Sequence, residues 1–370
     1  MSTTPGKWLV IIGCGGNIGS FLGPLVVRIP GVTRVTVLDG QVYEAKNVQS
    51  QDITRSHVGK AKALVQARRL RRIDTHVAVK AFVARVEEVP LGALRADLLL
   101  ACVDSRLARR SINTMAWRLG IPWVDAGVNA DGLLARVNVY APGPGQPCLE
   151  CGWDDNDYVA LEVAYPCAGE ATPAPTNAPA ALGALAASLQ ALECQKALAG
   201  QWDQVLVGRQ VAISAATHRH YVTSFRANPH CRFDHGTWMI ESIDRKPDRF
   251  TLAEAFDLGG GVAEAESGRG VRVEGQVFVR TLTCPSCGAR RERPLHLFGR
   301  LPRKERTCGC GAAMRATGFD TAEWLRLEGL SDAERDGTLA GMGVTVGDVL
   351  SVEMSGQTTH HQIGRIGGPR

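Results

Sequence analysis

Lysine is scarce in this chain. Of 42 basic residues in 370 only 8 are lysine, and the formal net charge is a modest +5. An arginine surplus set among 41 glycines and abundant alanine reads as compositional bias, not as a nucleic-acid surface. The one locally basic stretch, Arg290 to Arg306, is where the charge would suit an acidic partner. The glycines follow no triplet period, which excludes a collagen-like chain, and no internal repeat is present. Hydrophobic residues make up 45% and charged residues 21%, which excludes wholesale disorder and allows a sizeable core. Length points to about two or three domains. Met1 to Lys7 is polar and lacks the pattern of a secretion signal. The longest apolar stretch, 178–200, is interrupted by Gln190, Glu193, Gln195 and Lys196, too polar for a membrane span. Eleven cysteines without a secretory signature point to metal-binding or reactive thiols in a reducing compartment. The expectation is a cytoplasmic protein that binds neither membrane nor nucleic acid.

What is present alternates. Strand-like runs at 9–12, 35–39, 76–83, 96–102 and 122–128 are separated by helix-like segments at 20–27, 59–71 and 105–119. Apolar strands separated by helices predict a parallel sheet with both faces covered. Leu182, Leu185, Leu189 and Leu192 recur at helical spacing in an Ala/Gly-rich segment suited to close packing, and 205–225 reads as β-hairpin. A domain boundary is expected at Gly236, giving 1–236 and 237–370.

The first strand ends in Gly13-Cys-Gly15-Gly16-Asn-Ile-Gly19. A glycine turn between strand and helix lets backbone N–H groups approach a phosphate that side chains would obstruct. Asp39 ends the next strand, where an acid reaches ribose hydroxyls. The pattern names a nucleotide and leaves NAD and ATP open. Downstream, Asn47, Gln51, Lys60 and Lys62 supply amides and ammoniums suited to a triphosphate. Asp104, after the fourth strand, sits where an acid could bind Mg²⁺ or cap the following helix.

Taken together these elements resemble the ThiF/MoeB family, the adenylating fold shared with ubiquitin-activating enzymes. The match also includes Val103-Asp104-Ser105-Arg106, Val124-Asp-Ala-Gly127, Cys148-x-x-Cys151 and the helix 187–193, in order over residues 7 to about 235. The resemblance implies a Rossmann-like, mostly parallel α/β adenylation domain that acts as a homodimer. It implies use of MgATP to adenylate the C-terminal glycine of a ubiquitin-like or sulfur-carrier β-grasp protein. Asp39 would take the ribose, Asn47, Gln51 and Lys62 the phosphates, and Asp104 the metal. Cys167 lies in the region where relatives carry a thioester- or persulfide-forming cysteine, which would place a conjugating enzyme downstream. Two positions depart: Ser50 stands where the family carries arginine, with Arg55 as a possible substitute, and the first strand starts without a preceding helix. The rival readings are a non-catalytic binding platform on this fold and an NAD-dependent oxidoreductase.

The cysteines fall into two sets. By the family pattern the knuckle Cys148/Cys151 is completed near the domain's end, where Cys231 and His235 are the candidates and His230 is the alternative fourth ligand. Cys284-x-x-Cys287 and Cys308-x-Cys310 have the spacing of a zinc ribbon, so a second structural zinc is expected in the C-terminal extension. That module is expected to have too little core to fold without metal. Cys14, Cys102 and Cys194 are read as core filler, and His218, His220, His360 and His361 as surface.

Overall fold

A computed structural model describes residues 6–163, 178–259, 268–316 and 321–365. Two compact units divide it: Met1–Val86 with Leu94–Thr237, and Glu87–Ala93 with Trp238–Arg370.

The first unit is built on an eight-stranded sheet. In chain order its elements are β1 (Lys7–Ile12), α1 (Gly19–Val26), β2 (Val32–Leu38), α2 (Lys62–Ile73), β3 (Ala78–Phe82), β4 (Leu98–Ala101) and α3 (Arg106–Leu119). There follow β5 (Trp123–Asn129), β6 (Leu134–Tyr140), α4 (Asp155–Val163), α5 (Ala180–Leu198), β7 (Arg209–Ser214) and β8 (Arg219–Ser224). The spatial order is β3-β2-β1-β4-β5-β6-β7-β8. The first five strands run parallel and the last three join antiparallel. Leu9, Ile11, Leu98, Leu100, Val124 and Ala126 form one core with residues of α1, α2 and α5. Strands buried on both faces explain the unbroken apolar runs. α3 is amphipathic, burying Ile112, Met115 and Ala116; Ser105 Oγ caps its start and Gly120, at φ +66°, closes it left-handed.

Neighbouring strands of β1 part to either side, β2 one way and β4 the other, which makes the β1/β4 carboxyl edge the switch point where open α/β sheets bind ligands. Across that edge one register row reads Leu38, Ile12, Ala101, Asp125, Asn138.

The second unit contains β9 (Ile240–Ile243), α6 (Leu252–Phe256), β10 (Gly270–Val273), β11 (Phe278–Thr283), β12 (Arg290–Leu297) and β13 (Thr321–Ala322). It continues with β14 (Leu325–Arg326), α7 (Asp332–Arg335), β15 (Val349–Met354) and β16 (Gln357–Ile363). A five-stranded sheet in the order β14-β10-β15-β16-β9 lies beside a three-stranded one, β12-β11-β13. Phe250, Phe256, Val271, Leu297, Leu350, Val352 and Ile363 form its core. Most of the unit's apolar burial lies outside the cysteine cluster, which has its own smaller core. The segment Glu87–Ala93 belongs here through backbone: Gly92 N–H donates to Gly347 O (2.9 Å) and Gln276 Nε2 to Glu87 O (2.6 Å). The surface expectation for His361 is corrected, since it is buried in β16 with Nε2 2.8 Å from Thr359 Oγ1.

Candidate functional site

The glycine turn leaves β1 with Gly13 at φ +79°, where a Cβ would stand 2.6 Å from the Cys102 carbonyl oxygen. A Cβ on Gly15 would meet Lys62 Cβ at 2.4 Å, so glycine there brings the turn directly onto the start of α2. A Cβ on Gly16 would only touch the Gly13 carbonyl oxygen (3.4 Å), whereas on Gly19, which begins α1, it would stand 2.2 Å from the same oxygen. The turn therefore sets a helix N-terminus at the sheet edge, a setting that suits an anion, while the N–H groups of Gly13 and Cys14 donate to Leu38 O, Gly15 to Asp39 and Gly16 to Gly13 O.

Asp39 follows β2 and is buried; its Oδ2 accepts from Gly15 N (3.0 Å) and its Oδ1 from Gln41 N (3.0 Å). Burial pushes this carboxyl above the usual carboxylate range, opposed by the Lys62 ammonium and by the Gln41 and Gly15 N–H groups. Lys62 is buried too, donating from Nζ to Gln41 Oε1 (2.8 Å) with its ammonium 5.7 Å from the Tyr43 ring centroid. Asn47 Oδ1 accepts from Glu44 N (2.8 Å), which leaves its NH₂ group for a visitor. Gln51 is half-buried with an unpartnered Oε1. The Ser50 carbonyl accepts from Asn17 Nδ2 (2.7 Å), and Arg55 is exposed on the short turn Arg55–His57. Asp104 is exposed beyond β4, and the capping role falls to Ser105. An exposed carboxylate fits Mg²⁺, which takes one or two carboxylates and completes its shell with water and phosphate oxygens.

Several participants escape sequence reading. Gln41 is the partner of Lys62. Asp125, fully buried in β5, holds Arg109 of α3 (2.8 Å) and Arg136 of β6 (2.9 Å). Gln190, fully buried in α5, donates from Nε2 to the carbonyls of Ala101 (3.0 Å) and Val124 (2.8 Å), tying the end of β4 to the start of β5. The available signal was an acid or amide inside an apolar run. Cys14, Cys102 and Cys194 are buried, and burial pushes all three thiols up. Cys167 lies outside the described residues.

Both cysteine sets assemble. Cys148, Cys151, Cys231 and His235 bring their donor atoms within 4.8 Å of one another, as do Cys284, Cys287, Cys308 and Cys310. Tetrahedral donors about 2.3 Å from zinc stand about 3.8 Å apart. Observed separations are 3.7 Å (Cys148–Cys231) and 3.8 Å (Cys148–Cys151) in the first set, 3.5 Å (Cys284–Cys310) and 3.6 Å (Cys287–Cys308) in the second. The donor sets fit zinc. His235 supplies the fourth donor in preference to His230: its Nε2 is 3.2 Å from Cys151 Sγ, and its ring lies edge-on to Trp117 at 4.9 Å. Its left-handed backbone, φ +54°, aims the ring inward.

Residues 7–233 match the model of the ThiF family. The molybdopterin-synthase adenylyltransferase of Escherichia coli (strain K12) is 28% identical over 227 residues, 60% of this chain and 85% of that one. The same organism's sulfur carrier protein ThiS adenylyltransferase is 28% identical over 151 residues, covering 40% of this chain and 59% of its own. Ubiquitin-like modifier-activating enzyme 5 of Oryza sativa subsp. japonica is 27% identical over 158 residues, 39% of this chain. The match spans only 37% of that rice protein, so this chain covers well under two thirds of it and of the ThiS adenylyltransferase. Among solved structures, E. coli MccB with succinimide aligns at a TM-score of 0.51 and 20% identity over 61% of this chain and 66% of that one, a likeness of fold. With the family model covering all eight strands of the first unit and the three cysteines of the first cluster, the chain belongs to the ThiF family.

Proposed function

We propose that this chain uses ATP to adenylate the C-terminal carboxylate of a ubiquitin-like or sulfur-carrier protein, with 1–236 as the adenylation domain and 237–370 as its zinc-ribbon-bearing extension. The observation that carries it is the meeting of three elements at one sheet edge: the glycine turn, Asp39 bonded to Gly15 N, and Lys62 packed against that turn. Each Asp39 oxygen keeps a lone pair beyond its backbone bond, enough for two ribose hydroxyls. Lys62 keeps two of three ammonium hydrogens for phosphate oxygens, and the Asn47 amide and Gln51 add polar contacts. In the reaction a carboxylate oxygen bonds to the α-phosphorus, the bond to the bridging oxygen breaks, and pyrophosphate leaves with the electron pair. Positioning and charge screening supply the acceleration. Asp104 would hold Mg²⁺, which screens the charge growing on pyrophosphate.

The two cysteine clusters would each hold a structural zinc. A homodimer is part of the proposal, supported by the Ala/Gly-rich α5 and its exposed Leu192. So are a cytoplasmic location and transfer of the acyl group to Cys167, which would call for a conjugating enzyme. The test is carrier-dependent ATP–pyrophosphate exchange with a β-grasp protein encoded nearby. We expect exchange in the native chain and a loss of at least about 100-fold in Asp104→Ala; equal exchange in both would remove Asp104, and none with any carrier would leave the binding-platform reading.

A further inference from the structure

We propose that Arg136 receives the carboxylate of the incoming acyl group. This rests on the adenylation reading. Asp125 is fully buried and stands between two guanidiniums. Arg109 uses all its nitrogens: Nε donates to Asp125 (2.8 Å), one Nη to Val103 O (2.5 Å) and the other to Asp104 O (3.4 Å). It fixes the backbone beneath Asp104. Arg136 commits only Nη1, to Asp125 Oδ2 at 2.9 Å. Among the described residues no acceptor takes its Nε or Nη2 hydrogens, and the side chain is 31% exposed. Nε and Nη2 form the side-on edge of the guanidinium, the fork that matches two oxygens of one carboxylate.

Gly127 keeps that fork in place. It pairs with Arg136 across β5 and β6, and a Cβ there would stand 2.9 Å from both Nε and Nη2. The guanidinium therefore lies flat across β5, oriented by a carboxylate that Arg109 has already fixed. Sheet order supplies the direction. Asp39 follows β2, the glycine turn follows β1, Asp104 follows β4, and Arg136 lies over the next strand. Ribose, phosphates, metal and acyl group thus take successive positions along one edge, with the Arg136 guanidinium over β5, two strand spacings or about 10 Å from β1. A planar anion arriving from the β6 side meets Arg136 on the flank of the site opposite the ribose acid.

The test uses the full chain, glycylglycine, its C-terminal amide and inorganic phosphate, with and without a non-hydrolysable ATP analogue. Binding is read from the Arg136 Nε–H NMR resonance, identified by its absence in Arg136→Lys, and from backbone amides of β5 and β6. Glycylglycine should shift these signals saturably and its amide should not. Arg136→Gln should weaken binding more than tenfold while keeping the Arg109–Asp125 pair and the fold. Arg136→Lys should retain part of it. Gly127→Ala, which displaces the guanidinium without removing its charge, should weaken it as well. Equal response to dipeptide and amide, a response to phosphate alone, no response at all, or native-like binding by Arg136→Gln overturns the proposal. If the ATP analogue binds in those samples, the adenylation reading outlives that result; if it does not, the reading itself fails.

Discussion

At the scale of the residue, Asp39 shows function and stability in opposition. In the proposed role its carboxylate would accept ribose hydroxyls in the charged form, yet it is buried, which raises its proton affinity. The native state therefore holds a proton that the unfolded chain releases over the window above the ordinary value of 3.8. Stability contributed by this group falls as pH rises through that window. Asp39→Asn should escape the penalty while keeping one backbone acceptor. We expect its melting temperature to gain on the native chain progressively as pH rises above the ordinary carboxylate value of 3.8, while ATP affinity falls about tenfold or more. Melting curves at several pH values and a nucleotide titration check both signs; a constant difference across pH would show that Asp39 titrates normally. Residues of this kind are legible in the sequence when their role follows from local spacing, as for the glycine turn, Asp39 and the paired cysteines. Gln41 is not legible as the partner of Lys62, because that contact spans 21 positions with no periodic signal. The Arg109–Asp125–Arg136 group is hidden for the same reason, since a lone acid in Trp123-Val-Asp-Ala-Gly127 does not announce which cations it meets. His235 is the family-pattern candidate and His230 the alternative, and the structure brings His235 Nε2 to 3.2 Å from Cys151 Sγ.

At the scale of the element, α5 does more than cover the sheet. Gln190 donates a side-chain amide to two carbonyls, Ala101 at the end of β4 and Val124 near the start of β5. Gln190→Leu removes both bonds inside a dry core, and unpartnered buried acceptors cost about 1–3 kcal/mol each. We expect a loss of about 2–4 kcal/mol in urea unfolding, with no change in the slope; a loss under 0.5 kcal/mol would mean that water replaces the amide. The parallel strands are legible because burial on both faces leaves them apolar throughout. The five-stranded sheet of the second unit is not, since β14 and β10 are short and their pairing is long-range. In that unit the cysteine cluster rests on a thin core of Val279, Leu282, Leu301 and Met314. Metal removal should therefore loosen it locally. We expect chelation, or Cys308→Ser, to open 284–310 to protease while peptides from β15 and β16 stay protected, as read by mass spectrometry. First cuts in β15 or β16 would place the metal at the heart of the unit instead.

At the scale of the whole molecule, two separate cores imply two separable meltings. Calorimetry should resolve two transitions. A non-hydrolysable ATP analogue at about 100 times its dissociation constant should stabilise only the first unit, by about 2.7 kcal/mol. A single transition, or a shift in both, would show that the units unfold as one.

The first cysteine cluster also orders events in time. Cys148 and Cys231 are 83 positions apart, and the chain between them includes α5 and the hairpin of β7 and β8. During synthesis the ribosome must deliver that whole span before the clasp can close. Until then Cys148 and Cys151 would lack the other two donors of the proposed zinc site, and thiolates without a metal are open to oxidants. A nascent chain stalled in this interval would be a target for redox damage that the finished protein no longer presents.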